Sequence, residues 1–285
     1  MTIRGLDQLV DGFVNAFYTK NWHAEPAFSL HSLSVSECYQ IQAMVAHKRI
    51  ALGERVAGYK VGCTSDAIRG QFGISEPICA RLFEPHVTSE NRPLDWNAYA
   101  NCAIEPEMAL MIGADLYGED LSDEELIGSI EYVSASVELH DYTFWQGAPS
   151  VQELICSGGI HAGLVVGREK VPATALTFAE ELFSVYKNDR LVASSPASEI
   201  MGGPLESLRW LVGFLSTRGD YLQAGCLVIP GSPTELIEIS QDTEIKVEIE
   251  RVGELQQVPL GDARLIAEPV AAPRGVGGVR RPVRI

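Results

Sequence analysis

Cys102-Ala103-Ile104-Glu105-Pro106-Glu107-Met108-Ala109-Leu110-Met111-Ile112 is an almost continuous apolar run broken by two acids and one proline. In an extended chain, side chains at i and i+2 point to the same face, so Glu105 and Glu107 project side by side. Tyr132-Val133-Ser134-Ala135-Ser136-Val137-Glu138-Leu139-His140-Asp141 is a second such run, with one isolated acid, Glu138, and a histidine near its end. Close carboxylates in a dry setting repel one another and lose hydration. A divalent cation relieves both costs, and three carboxylates with open positions suit a hard ion such as Mg²⁺ or Mn²⁺. Taken singly, each residue also has an ordinary reading. Glu-x-Glu fits a solvated edge strand, and Pro106 argues for an edge or a bulge there. Glu138 alone fits an exposed strand acid, and His140 alone fits a structural hydrogen-bonder.

Outward from these two runs the texture is β-rich. Strands are predicted over 56–62, 102–112, 132–140, 161–167, 182–187, 190–194, 226–230 and 244–250, with Asn188-Asp189 as a hairpin turn. Helices are predicted over 5–20, from Ser34 to Gly53, over 122–129 and over 204–216. Ser34 with Glu37 forms a capping-box signature, and Pro204 suits a first helical position. Strands dominate without a regular βαβ rhythm, which argues against a Rossmann fold or a parallel barrel and for a mixed α+β fold. The reading divides the chain into a helical segment 1–55, a β-rich catalytic domain 56–262 and an extended tail 263–285 rich in Arg, Pro and Gly.

The 285 residues carry 22 Lys and Arg against 38 Asp and Glu, a formal charge of −16. Such a surface repels phosphate backbones and anionic lipids, so neither nucleic acid nor membrane is an expected partner. A carboxylate substrate would need local positive charge at its site. The six cysteines form no CxxC pair, and their spacing fits no zinc site. Without a signal-peptide pattern or a membrane-length apolar run, the chain reads as cytoplasmic, its thiols reduced.

Two further features carry chemistry. Lys60 lies in Val56-Ala57-Gly58-Tyr59-Lys60-Val61-Gly62-Cys63-Thr64-Ser65, bracketed by apolar and glycine residues. A lysine there either snorkels to solvent or acts in a site as anion anchor or acid/base. The hydroxyls of Thr64 and Ser65 suit a ligand-facing turn. The small-residue loops Ser157-Gly158-Gly159 and Gly231-Ser232-Pro233-Thr234 can bring backbone N–H groups to an anion.

Gly58 to Ser65, with Gln71-Phe72-Gly73-Ile74 and Pro77, resembles the 2-keto-4-pentenoate hydratase and 2-oxo-3-hexenedioate (4-oxalocrotonate) decarboxylase family of the fumarylacetoacetate hydrolase superfamily. The usual family text at the first motif is close to Gly-Trp-Lys-Ile-Gly-Leu-Thr-Ser. The order that follows is also similar: Ile104-Glu105-Pro106-Glu107, Glu138-Leu139-His140-Asp141, Gly202-Gly203-Pro204, Ala224-Gly225 and Gly231-Ser232-Pro233-Thr234. The similarity runs from about residue 5 to about residue 260. It implies a mixed β-roll with an N-terminal helical layer, assembled as a homo-oligomer. It also implies Mg²⁺ or Mn²⁺ held by Glu105, Glu107 and Glu138, an active-site Lys60, and Asp141 as an acid close behind the metal.

The chain departs from the family in two places. Where family hydratases carry a segment like Asp-Asn-Ala-Ser-Ser, this chain has Ser157-Gly158-Gly159-Ile160-His161. Where they carry Gly-Ser-Leu-Thr-Gly, it has Gly231-Ser232-Pro233-Thr234-Glu235. The metal half of the pattern is retained and the substrate half is altered. The resulting expectation is a metal-dependent lyase acting on a small 2-oxo acid or its 2-hydroxydienoate enol, a hydratase first. The alternatives are a 2-oxo-enedioate decarboxylase, a C–C bond hydrolase and an inactive paralogue. Lys60, Asp141, His140 and His161 are the catalytic candidates. Thr64, Ser65, Arg81, Ser157, Gly158, Ser232 and Thr234 are the substrate-binding candidates, with Arg81 the basic residue available for a second carboxylate. The altered loops predict better activity on a larger or more apolar acid than on the five-carbon dienoate.

Overall fold

The computed structural model describes residues 3–21, 30–90, 92, 94–141 and 149–257. The predicted tail, 263–285, lies outside the described residues.

Two helices open the chain, α1 (Ile3–Thr19) and α2 (Val35–Ala51). The helical spacing read in α1 buries Leu9, Val10, Phe13 and Phe17 on one side. The box expected at the start of α2 is present. Ser34 accepts from the Glu37 backbone N–H, and the Glu37 carboxylate accepts from Ser34 N–H. The two helices pack together with a short helix, α5 (Val151–Ser157), around Leu9, Val10, Phe13, Ile41, Val45 and Ile155. Ile41 is fully buried in this layer. Ile41→Ala should cost about 2–5 kcal/mol through lost transfer energy and the cavity left behind. Urea unfolding measures it, and a loss below about 1 kcal/mol would mean the helical layer contributes little to the cooperative fold.

The strands, in chain order, are β1 (Val56–Gly62), β2 (Ile78–Phe83), β3 (Val87–Ser89), β4 (Cys102–Ile112), β5 (Ile130–Asp141) and β6 (His161–Val166). They continue with β7 (Leu182–Lys187), β8 (Arg190–Pro196), β9 (Leu227–Ile229), β10 (Ile237–Glu238), β11 (Ile245–Ile249) and β12 (Gly253–Gln257). Helices α3 (Asp66–Phe72), α4 (Asp123–Ser129) and α6 (Pro204–Ser216) complete the set.

One sheet has eight strands in the order β2-β1-β9-β4-β5-β6-β3, with β10 added beside β4. A second has four, β12-β11-β7-β8. The main core lies between these sheets and α6, where Val133 and Ala135 of β5 meet Phe183, Val185, Val247, Leu208 and Leu211. The architecture is α+β, a mixed β-roll with a helical layer, as the sequence predicts. Asn188 and Asp189 both take positive φ between β7 and β8, the conformation a two-residue hairpin turn requires.

Helices α3 and α5 and strands β2, β3, β10 and β12 escape the sequence reading. Helices α3 and α5 span seven residues each, as does the predicted α4, so length alone does not hide them. Ser65 and Ser150 cap them. Ser157-Gly158, read as a bare loop, is the end of α5, with Gly158 as its left-handed cap. Pro106 falls between the β10 pairing at Ala103–Ile104 and the β9 pairing at Leu110–Met111. There the register pairs β4 with β5 alone, a local edge of the kind proline tolerates. Among the described residues no helix is long and apolar enough to cross a membrane.

Candidate metal centre and active site

The antiparallel register of β4 and β5 sets Glu105 directly opposite Glu138, Ala103 opposite His140 and Glu107 opposite Ser136. Residues opposite one another share a face, so Glu105, Glu107, Glu138 and His140 all project to the same side. A register shift between Leu139 and His140 then sets His140 opposite His161 at the start of β6. These contacts are short. His140 Nε2 lies 2.9 Å from Glu105 Oε2 and 3.4 Å from Glu138 Oε2. His161 Nδ1 lies 2.7 Å from Glu138 Oε1.

Lys60 arrives from β1, which is separated from β5 by β9 and β4. Strand spacing of about 4.8 Å would hold the two roughly 14 Å apart in a flat sheet, beyond a lysine's reach. Lys60 Nζ nonetheless forms an ion pair with Glu138 Oε1, so the sheet curls and brings its strands around one interior. Nζ also donates to the Gly159 carbonyl at 3.5 Å. The glycine is needed there because a Cβ would stand 3.2 Å from Nζ, on backbone with φ of +73°.

The electrostatics are those of a site with too much charge for its burial. Glu107 is fully buried, and burial raises its carboxyl well above the ordinary range, with the Glu138 and Glu105 charges adding to the rise. Glu138 is held well below its ordinary range, because the charges of His140 and Lys60 outweigh the desolvation that would raise it. Burial pulls His140 down, yet the Glu138 charge wins and lifts it to about 9. Burial lowers His161 to about 4 against the pull of Glu138. Buried atoms without a hydrogen-bond partner include Glu107 Oε1, Glu138 Oε2 and His140 Nδ1. Orphaned buried carboxylate oxygens on neighbouring side chains of one sheet face mark a place for a cation.

Ligand atoms of Glu105, Glu138 and His140 all lie within 4.8 Å of one another. The residues therefore fit a divalent ion with mixed oxygen and imidazole ligands. The set differs from the expected Glu105, Glu107 and Glu138. The geometry groups His140 with the two opposed acids, whereas Glu107 stands beside them. Its Oε2 accepts the Gly231 backbone N–H at 3.0 Å. The Gly231 N–H, in a loop able to reach a bound anion, is instead taken by the Glu107 carboxyl.

The remaining candidates separate into two groups. Arg81, Ser157, Gly158 and His161 line one cavity beside the cluster. Asp141 does not join the cluster. One carboxylate oxygen pairs with Lys20 Nζ at 2.8 Å and the other accepts the Ala100 N–H at 2.9 Å, which ties β5 to the end of α1. Ser65 is occupied as the cap of α3, accepting from Ile68 N–H. Thr64 packs against Gly231, where a Cβ would come within 2.6 Å of its methyl. The Ser232 and Thr234 hydroxyls sit 3.3 Å apart and close their own turn. Arg49 is the cavity residue that sequence reasoning missed. Helix position alone does not distinguish a buried guanidinium from a solvated one.

A curled mixed sheet wrapped around a carboxylate–imidazole cluster defines the class of fold. The chain superposes on fumarylacetoacetate hydrolase from Exiguobacterium antarcticum with a TM-score of 0.55, at 18% identity over 73% of this chain and 76% of the other. No family model matches the chain. Closer likeness comes from 4-oxalocrotonate decarboxylase of Pseudomonas putida G7, complexed with magnesium and adipate. It gives a TM-score of 0.85 at 20% identity, covering 90% of this chain and 98% of the other. In sequence, the chain is 26% identical to a 4-oxalocrotonate decarboxylase from a Pseudomonas species, over 81% of its own length and 89% of the relative. It is 22% identical to 2-keto-4-pentenoate hydratase from Paraburkholderia xenovorans LB400, over 79% and 83%. The chain is thus a relative of the 2-keto-4-pentenoate hydratases and 4-oxalocrotonate decarboxylases, with the fumarylacetoacetate hydrolase fold, as its motifs imply.

Proposed function

We propose that this protein is a divalent-metal-dependent lyase acting on a small 2-oxo acid or its 2-hydroxydienoate enol, a hydratase first and a 2-oxo-enedioate decarboxylase second. One observation carries the reading. Glu105, Glu138 and His140 converge, the last two buried and Glu105 partly exposed, with buried Glu107 and Lys60 beside them, in a chain related to hydratases and decarboxylases of 2-oxo acids. Glu105, Glu138 and His140 would hold Mg²⁺ or Mn²⁺. The bound ion supplies Lewis acidity that favours enolate character at the 2-oxo group, the electron sink that hydration and decarboxylation share.

The protein's own groups do the rest. Lys60 is 3% exposed and places a cation next to Glu138, so it can anchor the substrate carboxylate or move a proton. His161, bonded to Glu138 through Nδ1, keeps its Nε2 free of any partner among the described residues, so it can exchange a proton or hold water. Burial of Glu138, His140, Glu107 and Lys60 strengthens their charges, while Glu105 is partly exposed at the edge of the cluster. A cytoplasmic location and a homo-oligomeric state belong to the same reading. Six free thiols support the first, and gel filtration tests the second.

The deciding experiment is an ultraviolet assay of purified protein with Mg²⁺ or Mn²⁺ against a panel of 2-hydroxydienoates and 2-oxo-enedioates. Metal-dependent turnover of at least one member is expected, and inertness toward the whole panel would overturn the reading in favour of an inactive paralogue. On the five-carbon 2-hydroxypenta-2,4-dienoate, kcat/KM should fall below about 10⁴ M⁻¹s⁻¹. A higher value would make the altered 157–161 and 231–235 segments neutral for specificity.

A further inference from the structure

A second cavity, of about 120 Å³, lies between α2, the β1–β2 pair and the end of α6, walled by Tyr39, Tyr59, Cys79, Arg81 and Phe214. In the strand register Tyr59 stands opposite Arg81, and Lys60 opposite Ala80. Neighbours along a strand point to opposite faces, so Tyr59 and Arg81 share the face turned away from Lys60 and the metal cluster. Arg81 also borders the smaller cavity near His161, but its guanidinium sits 5.9 Å from the Tyr59 ring centre, on the Tyr59 side. The second substrate carboxylate expected at Arg81 from the sequence is therefore on the wrong face of the sheet.

Two guanidiniums reach this cavity, and neither has a carboxylate partner among the described residues. Arg81 contacts the Tyr59 ring alone among charged and aromatic groups. Arg218, from the turn after α6, donates through Nη1 to the Phe214 carbonyl at 3.1 Å and to Thr217 Oγ1 at 3.4 Å, and lies 3.5 Å over the Phe214 ring. Asp220 lines the same cavity, but its carboxylate is turned to the Tyr221 N–H, at 2.9 Å. Two cations against one anion leave one positive charge unmatched. Tyr59 is 5% exposed, and its hydroxyl has no hydrogen-bond partner among the described residues. The Tyr39 hydroxyl accepts the Cys79 N–H at 3.2 Å, which leaves its own proton to donate. Unmet donors of this kind are costly in a buried wall and are relieved by an acceptor.

We infer that this cavity is a binding site for a small aromatic monocarboxylate. One carboxylate matches the unpaired charge, and guanidinium forks fit its geometry. The Tyr39, Tyr59 and Phe214 rings offer a flat ring faces and edges to stack against, with Tyr39 and Phe214 centred 4.9 Å apart. An apolar cavity of about 150 Å³ holds benzene, so about 120 Å³ admits a single ring with its carboxylate turned to the guanidiniums. The occupant lies on the reverse of β1 from Lys60 and binds without the metal, so the site stands apart from the 2-oxo acid reading.

Calorimetry of the wild-type protein with benzoate, benzyl alcohol and inorganic phosphate tests it. Benzoate should bind at one site with a Kd of about 1 mM or tighter, equally with Mg²⁺ and with EDTA. Benzyl alcohol lacks the charge and phosphate lacks the ring, so each should bind at least about ten-fold more weakly. Arg81→Met and Arg218→Met should each weaken benzoate at least about ten-fold, whereas Lys60→Met should leave its affinity within about two-fold of wild type. Arg218 is exposed on a turn, so its variant keeps the test open even where Arg81→Met fails to fold. No benzoate binding, phosphate binding as tight as benzoate, or benzoate binding that requires Mg²⁺ or survives both arginine substitutions would overturn the site.

Discussion

Glu138→Gln should abolish metal-dependent turnover, with Mn²⁺ affinity falling by more than about 100-fold. Glu138 is the hub of the cluster. Its carboxylate meets Lys60, His161 and His140, and it lies opposite Glu105 in the strand register. The amide keeps the volume but removes the charge that a hard cation requires. Even partners that only orient metal ligands cost 10–100-fold when removed, so a ligand should cost more. Thermal unfolding gives a readout independent of activity. Metal at about 100 times its Kd stabilises the folded state by about 2.7 kcal/mol. For a chain of this size that raises Tm by on the order of 5 °C. The rise should be present in the wild type and absent in Glu138→Gln. An equal rise in both would place the ion elsewhere.

The second large effect is expected at Lys60. Lys60→Met preserves the unbranched aliphatic stem and removes the ammonium. If that ammonium anchors substrate or moves a proton, kcat/KM should fall by about 2–4 kcal/mol of transition-state stabilisation, roughly 30- to 1,000-fold. Metal binding should move the other way or stay level. Nζ pairs with Glu138 Oε1, so removing it frees an oxygen for the ion. The contrast separates two roles. A lysine that only balances charge in the metal-free site becomes dispensable once the ion is bound, and its variant would turn over normally with saturating Mn²⁺. A Lys60→Met enzyme with wild-type kcat/KM at saturating metal would end the catalytic proposal. Stability is the control, because the loss of one cation from a buried pair leaves Glu138 with His140 and His161 as partners.

Features carried by short-range pattern were legible from residues alone. The period of two in β4 and β5 places the Glu105 and Glu107 side chains, and separately those of Glu138 and His140, on one face of each strand. Ser34 with Glu37 and Asn188-Asp189 act within a few residues of chain, so their roles follow from local geometry. Helix α5 carries the same kind of local signal, Ser150 with Glu153, which the sequence reading passed over, whereas α3 has only Ser65 as its cap with no matching Glu.

Everything that makes the cluster a site is non-local. Pairing of β4 with β5 in one register sets Glu105 against Glu138, and a slip of one residue would send the acids to opposite faces. The curl of the eight-stranded sheet carries Lys60 across two intervening strands to Glu138, which no spacing along the chain encodes. Asp141 adjoins His140 in sequence, but the alternation of the strand turns it to Lys20 and the Ala100 N–H instead. Arg49 sits on a helix where a charge ordinarily reads as solvated, and only the packing of α2 against Phe17 and Phe83 buries it beside His161. Residue order alone sets the long central strands, the Ser34 box, the 188–189 turn and the face each acid takes, because those follow from local geometry and the backbone's own periodicity. The tertiary structure alone decided which charges meet, because strand order, curl and helix packing arise from contacts between residues far apart in the chain.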